Sequence, residues 1–175
     1  PTPPPNPAEV GMTVGLDFTH WQKRPICNVL EYQSRYCLAS LACPAETSLT
    51  ARDALSAALA EAKILGLPTA KIEVKSDHGP VFTADAFESF ITELGNWHTL
   101  SAVGRPQGMG RVERYNRNSK EQRLRWTDIQ DAAELQTELS GYRKFYNEQR
   151  PHRALGGLTP IAFLRASRNL SVPLF

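Results

Sequence analysis

Three acidic residues occupy places where plain surface solvation is an awkward explanation. Asp17 lies in the run MTVGLDF, where Met12, Val14, Leu16 and Phe18 alternate onto one face and Asp17 falls on the other. An unpaired carboxylate in such a strand is costly unless something positive compensates it. Asp77 ends a short alternating run and precedes a turn containing Gly79. Ligand sites in open α/β sheets gather at such strand ends. Glu113 opens a helical stretch after the glycine-rich segment SAVGRPQGMG. The helix dipole also favours a carboxylate there, so Glu113 has a purely structural reading as well. Three carboxylates from separate elements can hold a hard cation such as Mg²⁺ or Mn²⁺. Two such ions about 3.5–4 Å apart can clamp the attacking and leaving oxygens of a phosphodiester displacement.

The elements that must position these acids follow from periodicity. Residues 12–18, 25–31 and 35–43 read as three strands separated by short turns, an antiparallel meander. Thr50 with Asp53 resembles a capping box, and Leu55, Leu59 and Ala62 recur at helical spacing up to Gly66 and Pro68. Residues 71–75 read as a strand leading into SDHGP. Thr83 is placed to cap a helix that buries Phe87, Phe90, Ile91 and Leu94, and residues 97–100 read as a fifth strand. A helix is expected from about Arg111 to Arg125. Thr127 with Gln130 offers another capping box, and Leu135, Leu139, Tyr142 and Tyr146 line a long helix that Pro151 ends. The order β-β-β-α-β-α-β-α-α predicts a mixed sheet covered on both faces.

The chain has 175 residues, 41% hydrophobic and 22% charged, with no apolar run long enough for a membrane span and no visible secretory signal. Residues 1–10 begin PTPPPNPAE and read as a linker from a missing upstream domain. Residues 11–150 are read as the core and 151–175 as a C-terminal arm. Cys27, Cys37 and Cys43 show no metal-ligand spacing and are expected to be buried thiols in a reducing cytoplasm. Net charge is +2 but uneven. Residues 1–100 carry 7 basic against 11 acidic side chains, and residues 101–175 carry 13 against 7. An acidic half and a basic half suggest a polyanion docking on one side, against the alternative of a solvated helix face.

The 35 residues between Asp77 and Glu113, with the pieces GLDFTH, SDHGPVF and GRPQGMGRVERYNR, give the chain a resemblance to the DD(35)E integrase core family. That family comprises retroviral integrases and bacterial insertion-sequence transposases. YNEQRPHRALGGLTPIAF resembles the C-terminal signature of the latter. The resemblance covers about residues 11–165. It implies an α/β, RNase H-like fold with a five-stranded mixed sheet and helices on both faces. It also implies polynucleotidyl transfer with two Mg²⁺ or Mn²⁺ ions, Asp17 shared between them and Asp77 and Glu113 completing one site each. Pro80 and Glu31 depart from the common pattern without removing a proposed ligand.

Arg117 and Lys120 lie at i+4 and i+7 from Glu113 on one helix face, and by the same resemblance they are the expected DNA contacts. Asn116, one step round, and Arg114 are further DNA-contact candidates. Gln107 belongs to the expected catalytic loop. His20 and His78 are read as neighbours of the site and not as bases. Expected partners are DNA, as transposon ends and target, and further copies of the chain, at least a homodimer in a synaptic assembly. A bacterial cytoplasmic setting is expected, with no membrane. Two rivals remain: an RNase H-like nuclease that joins nothing, and a degenerate transposase acting as a DNA-binding or assembly module.

Overall fold

The computed structural model describes residues 9–101 and 108–168. Five strands form one sheet: β1 (Thr13–Trp21), β2 (Arg24–Glu31), β3 (Cys37–Ala42), β4 (Glu73–Ser76) and β5 (Trp97–Leu100). The order across the sheet is β3-β2-β1-β4-β5. β1 to β3 make the expected antiparallel meander, whereas β4 and β5 run parallel to β1. Parallel neighbours need crossovers, and α1 (Ser48–Ile64) and α2 (Asp85–Glu93) supply them. Three helices follow: α3 (Gly110–Gln122), α4 (Ala132–Glu148) and α5 (Pro160–Ser167).

Alternation along β1 and β2 decides which residues meet which helical layer. Val14, Leu16, Cys27 and Val29 pack with Ala54, Leu55, Ala58, Phe87 and Ile91 of α1 and α2. On the opposite face Leu30 and Tyr32 pack with Val112 and Tyr115 of α3 and Tyr142 and Tyr146 of α4. The sheet is therefore mixed and covered on both faces, as expected. Leu135, Leu139, Tyr142 and Tyr146 of α4 are all buried.

The YN pair of the C-terminal signature has a clear structural use. The Asn147 amide donates to the Cys37 carbonyl (2.9 Å), and its oxygen accepts from the Cys37 N–H (2.8 Å). A side chain thus completes the pairing of the outer strand β3 at that residue. Tyr146 meets Tyr115 edge-on, with centroids 4.7 Å apart, and His152 in the same way at 4.6 Å.

Three helix starts differ from the sequence expectation. α1 is capped by Thr47: its hydroxyl accepts from Thr50 N–H (3.2 Å), and Thr50 Oγ1 accepts from Thr47 N–H (3.1 Å). Thr50 is the third residue of that helix and not its cap. α4 is capped by Asp131, which accepts from Glu134 N–H (2.8 Å), and not by Thr127. Thr83 makes no cap for α2, whose flanking Ala84 offers no side-chain bond. α3 ends at Gln122, short of Arg125. A 3-10 turn at Leu124–Trp126 follows and drives Leu124 into the core. Thr47→Ala is expected to cost about 1 kcal/mol, read as a lower urea midpoint at unchanged slope.

Cys27 and Cys37 are buried and Cys43 half-buried, and all three thiols are free. Among the described residues no helix is long and apolar enough to cross a membrane.

Candidate active site

The register between β1 and β4 pairs Thr13 with Glu73 and Gly15 with Lys75. Asp17 and Asp77 each lie two residues further on. The period of two therefore brings them level on one face, Asp77 just beyond the end of β4. That face is the one α3 covers. Gly15 lets α3 come close: a Cβ there would stand 2.4 Å from the Tyr32 ring and 2.9 Å from Val112 Cγ2. Tyr32 also anchors the start of the helix. Its hydroxyl donates to the Gly108 carbonyl, and the Arg111 guanidinium donates to the Tyr32 carbonyl and lies 5.1 Å from its ring centre. Glu113, in the first turn of α3, is thereby held over the two aspartates' side of the sheet.

The acids are coupled electrostatically. Burial, then the negative charge of Asp77, then that of Glu113 push the Asp17 carboxyl up to about 7. A cleft of about 400 Å³ opens beside it, lined by Asp17, Thr19, Glu113, Arg117 and Lys120 among others. Neither Arg117 nor Lys120 forms an ion pair among the described residues.

Asn116 lines the same cleft, with its side chain bonded inward. It is 6% exposed, its amide donates to Asp17 Oδ2 (2.9 Å), and its oxygen accepts from the Asn28 amide (2.7 Å). Asn28 is the residue directly opposite Asp17 in the β1–β2 register. This two-amide chain orients Asp17 from below, so Asn116 acts on the carboxylate. Sequence reasoning missed Asn28, although a polar residue in the apolar run PICNVLE was the available signal. Arg114 lies away from this cleft and lines a second cavity. Gln107 lies outside the described residues. His20 faces Glu46 at 3.3 Å.

The donor set consists of carboxylate oxygens, which suits a hard divalent cation. Burial and the neighbouring negative charges raise Asp17, and such an ion would offset both. A closed ligand cluster is not formed, however. Among the described residues no group of three or more His, Cys, Asp or Glu side chains is arranged to hold an ion. One reason is visible: Asp77 Oδ1 is turned into its own loop, accepting from Gly79 N–H at 2.8 Å.

Comparison with known proteins agrees with the geometry. Residues 94–160 match the family model described as integrase core domain. The fold superposes on the catalytic core domain of BIV integrase with a TM-score of 0.69 at 26% identity, covering 91% of this chain and 97% of that one. The chain is similar to integrase core domains in sequence and in fold. An insertion element IS407 protein of 31.7 kDa from Burkholderia multivorans is 31% identical to this chain over 107 residues, 61% of this chain and 38% of that protein. A chain of the simian T-cell lymphotropic virus intasome in complex with PP2A regulatory subunit B56 gamma shares the fold, with a TM-score of 0.74 at 20% identity. That match covers 96% of this chain and 59% of the other. The chain spans 22%, 38% and 26% of the length of three curated relatives it matches, well short of their whole length.

Proposed function

We propose that this chain is the catalytic centre of a DNA transposase or integrase, performing divalent-metal-dependent strand cleavage and strand transfer. The observation that carries this reading is the β1–β4 register, which sets Asp17 level with Asp77 beneath the helix that brings Glu113. Asp17, Asp77 and Glu113 would hold Mg²⁺ or Mn²⁺, two ions in the active complex, with Asp77 released from its bond to Gly79. When bound, such ions would supply charge neutralisation and Lewis acidity toward the attacking oxygen. The chain's own residues do the rest. Asn28 and Asn116 fix the Asp17 carboxylate, and Arg117 and Lys120 hold phosphates beside it. The reaction joins DNA ends to a target, so the working form contains at least two cores, in the cytoplasm of a bacterial host.

A strand-transfer assay tests the reading. Protein, Mn²⁺, a pre-cut element end with a free 3′-hydroxyl and a supercoiled plasmid should give joined product. Cutting without joining would favour the nuclease rival. DNA binding with neither reaction would favour the degenerate module.

The basic face makes a separate prediction. Arg117→Ala and Lys120→Ala should each weaken binding to all DNA sequences alike and lower the salt slope by about 0.9. Stability should change by no more than about 0.5 kcal/mol. Anisotropy titrations across a salt series check it, and an unchanged slope would remove this face from the DNA path.

A further inference from the structure

On the far side of α3 from the carboxylates lies a cavity of about 650 Å³. Arg35 from the β2–β3 turn, Arg111 and Arg114 from α3, and Arg150 and Arg153 from beyond α4 all line it, with His152. No acidic side chain lines it, and none of the five arginines forms an ion pair among the described residues. Like charges gathered this way repel, and a solvated surface would splay them apart. Here three of the five are restrained. Arg111 is bonded to the Tyr32 carbonyl, and Arg150 donates to Gln122 Oε1 (3.2 Å) and lies over the Tyr146 ring at 5.8 Å. Arg35 is half-buried with a left-handed backbone, φ +61°. A non-glycine residue keeps that conformation only where its surroundings enforce it.

The field inside is strongly positive. Burial, with the charges of Arg150 and then Arg35, pushes His152 down to about 4. Burial and the charge of Arg111, joined by that of Arg114, lower the Arg35 guanidinium as well.

We propose that this cavity is a second phosphate-backbone site for DNA, separate from the carboxylate cleft. Guanidinium forks match phosphate oxygens two at a time. The volume lies in the range that takes a drug-sized ligand, more than a single phosphate needs. The same helix carries Glu113 on one side and Arg111 and Arg114 on the other. A helix with its side chains is only about 10–12 Å across. A polymer with phosphates at regular intervals can therefore engage both sides of α3 at once, which an isolated small anion cannot do. The inference rests on the reading that the chain acts on DNA, but not on catalysis.

The test uses the whole chain in EDTA, so that metal chemistry plays no part. Binding to a fluorescent duplex of arbitrary sequence is followed by anisotropy across a salt series. Arg114 and Arg153 are exposed and bond to nothing that holds the fold, so Arg114→Ala/Arg153→Ala is the informative variant. Its salt slope should fall by about 1.8, and its affinity by about tenfold or more at low salt. Lys63→Ala/Lys144→Ala removes the same net charge from exposed positions elsewhere and should change the slope by far less. A parental slope in the arginine variant, or an equal loss in the lysine variant, overturns the second site. If the parent binds no duplex at all, the DNA reading itself fails, an outcome distinct from failure of this cavity.

Discussion

Asp17→Asn is expected to abolish strand transfer while making the metal-free chain more stable at alkaline pH. The two effects have one cause. Burial and the charges of Asp77 and Glu113 hold the Asp17 carboxyl up to about 7 in the folded chain, against an ordinary value of 3.8. The folded state therefore binds more protons than the unfolded state between those two values. The stability this group contributes is present below about pH 4 and is lost as pH rises through 7. An amide cannot ionise, so the variant escapes that loss. It also retains an oxygen able to accept from Asn116. Allowing for the solvent around a half-buried carboxylate, the gain at pH 8 should be at least about 1 kcal/mol, or about 2–4 °C in Tm. Calorimetry of both chains from pH 4 to 8 checks this. Identical pH slopes would mean that neither burial nor the other acids raise Asp17. Catalysis fails for the converse reason: a neutral amide is a poor ligand for a hard cation.

The largest structural effect is expected at Gly15. Alanine there places a methyl 2.4 Å from the Tyr32 ring and 2.9 Å from Val112. The ring cannot simply swing away. Its hydroxyl is bonded at Gly108, its backbone N–H donates to Thr13 (2.9 Å), and Arg111 and Lys75 flank it. Overpacking of this kind costs about 1–3 kcal/mol, and Gly15→Ala should lie at the upper end. Gly15→Val should exceed that range. Because Tyr32 and Val112 hold α3 over the sheet, the strain also displaces Glu113, and strand transfer should fall more than stability alone explains. Urea unfolding of Gly15→Ala, Tyr32→Leu and the double variant provides the check. The double variant should be less destabilised than the two single effects combined. Simple additivity would show that the close approach is not what positions α3.

Much of this was legible in the chain. Asp17 stands out because alternation puts it opposite Leu16 and Phe18, and Asp77 because an alternating run stops at it. The meander, the later strands and the apolar face of α4 follow from periods of two and 3.6. Helix starts were less legible, because Thr47 and Thr50, or Thr127 and Asp131, offer equivalent caps a few residues apart, and tertiary packing chooses between them. Asn116 and Arg117 illustrate a deeper limit. They lie on opposite sides of Glu113 around the helix, and only the position of the sheet determines that Asn116 turns inward while Arg117 stays exposed. Asn28 becomes meaningful only through its register with Asp17. The arginine cavity has no local pattern at all, because Arg35, Arg114 and Arg153 are far apart in the chain and are brought together by the packing of α3 and α4 on the sheet.

The central claim is that Asp17, Asp77 and Glu113 form one divalent-cation site. Crystals of the chain soaked in Mn²⁺ and measured at the manganese absorption edge test it most directly. The account predicts anomalous density in contact with Asp17, shared with Asp77 or Glu113, with the Asp77 carboxylate rotated away from Gly79. Saturating Mn²⁺ that leaves no density at Asp17, with Asp77 still closed into its own turn, would contradict it.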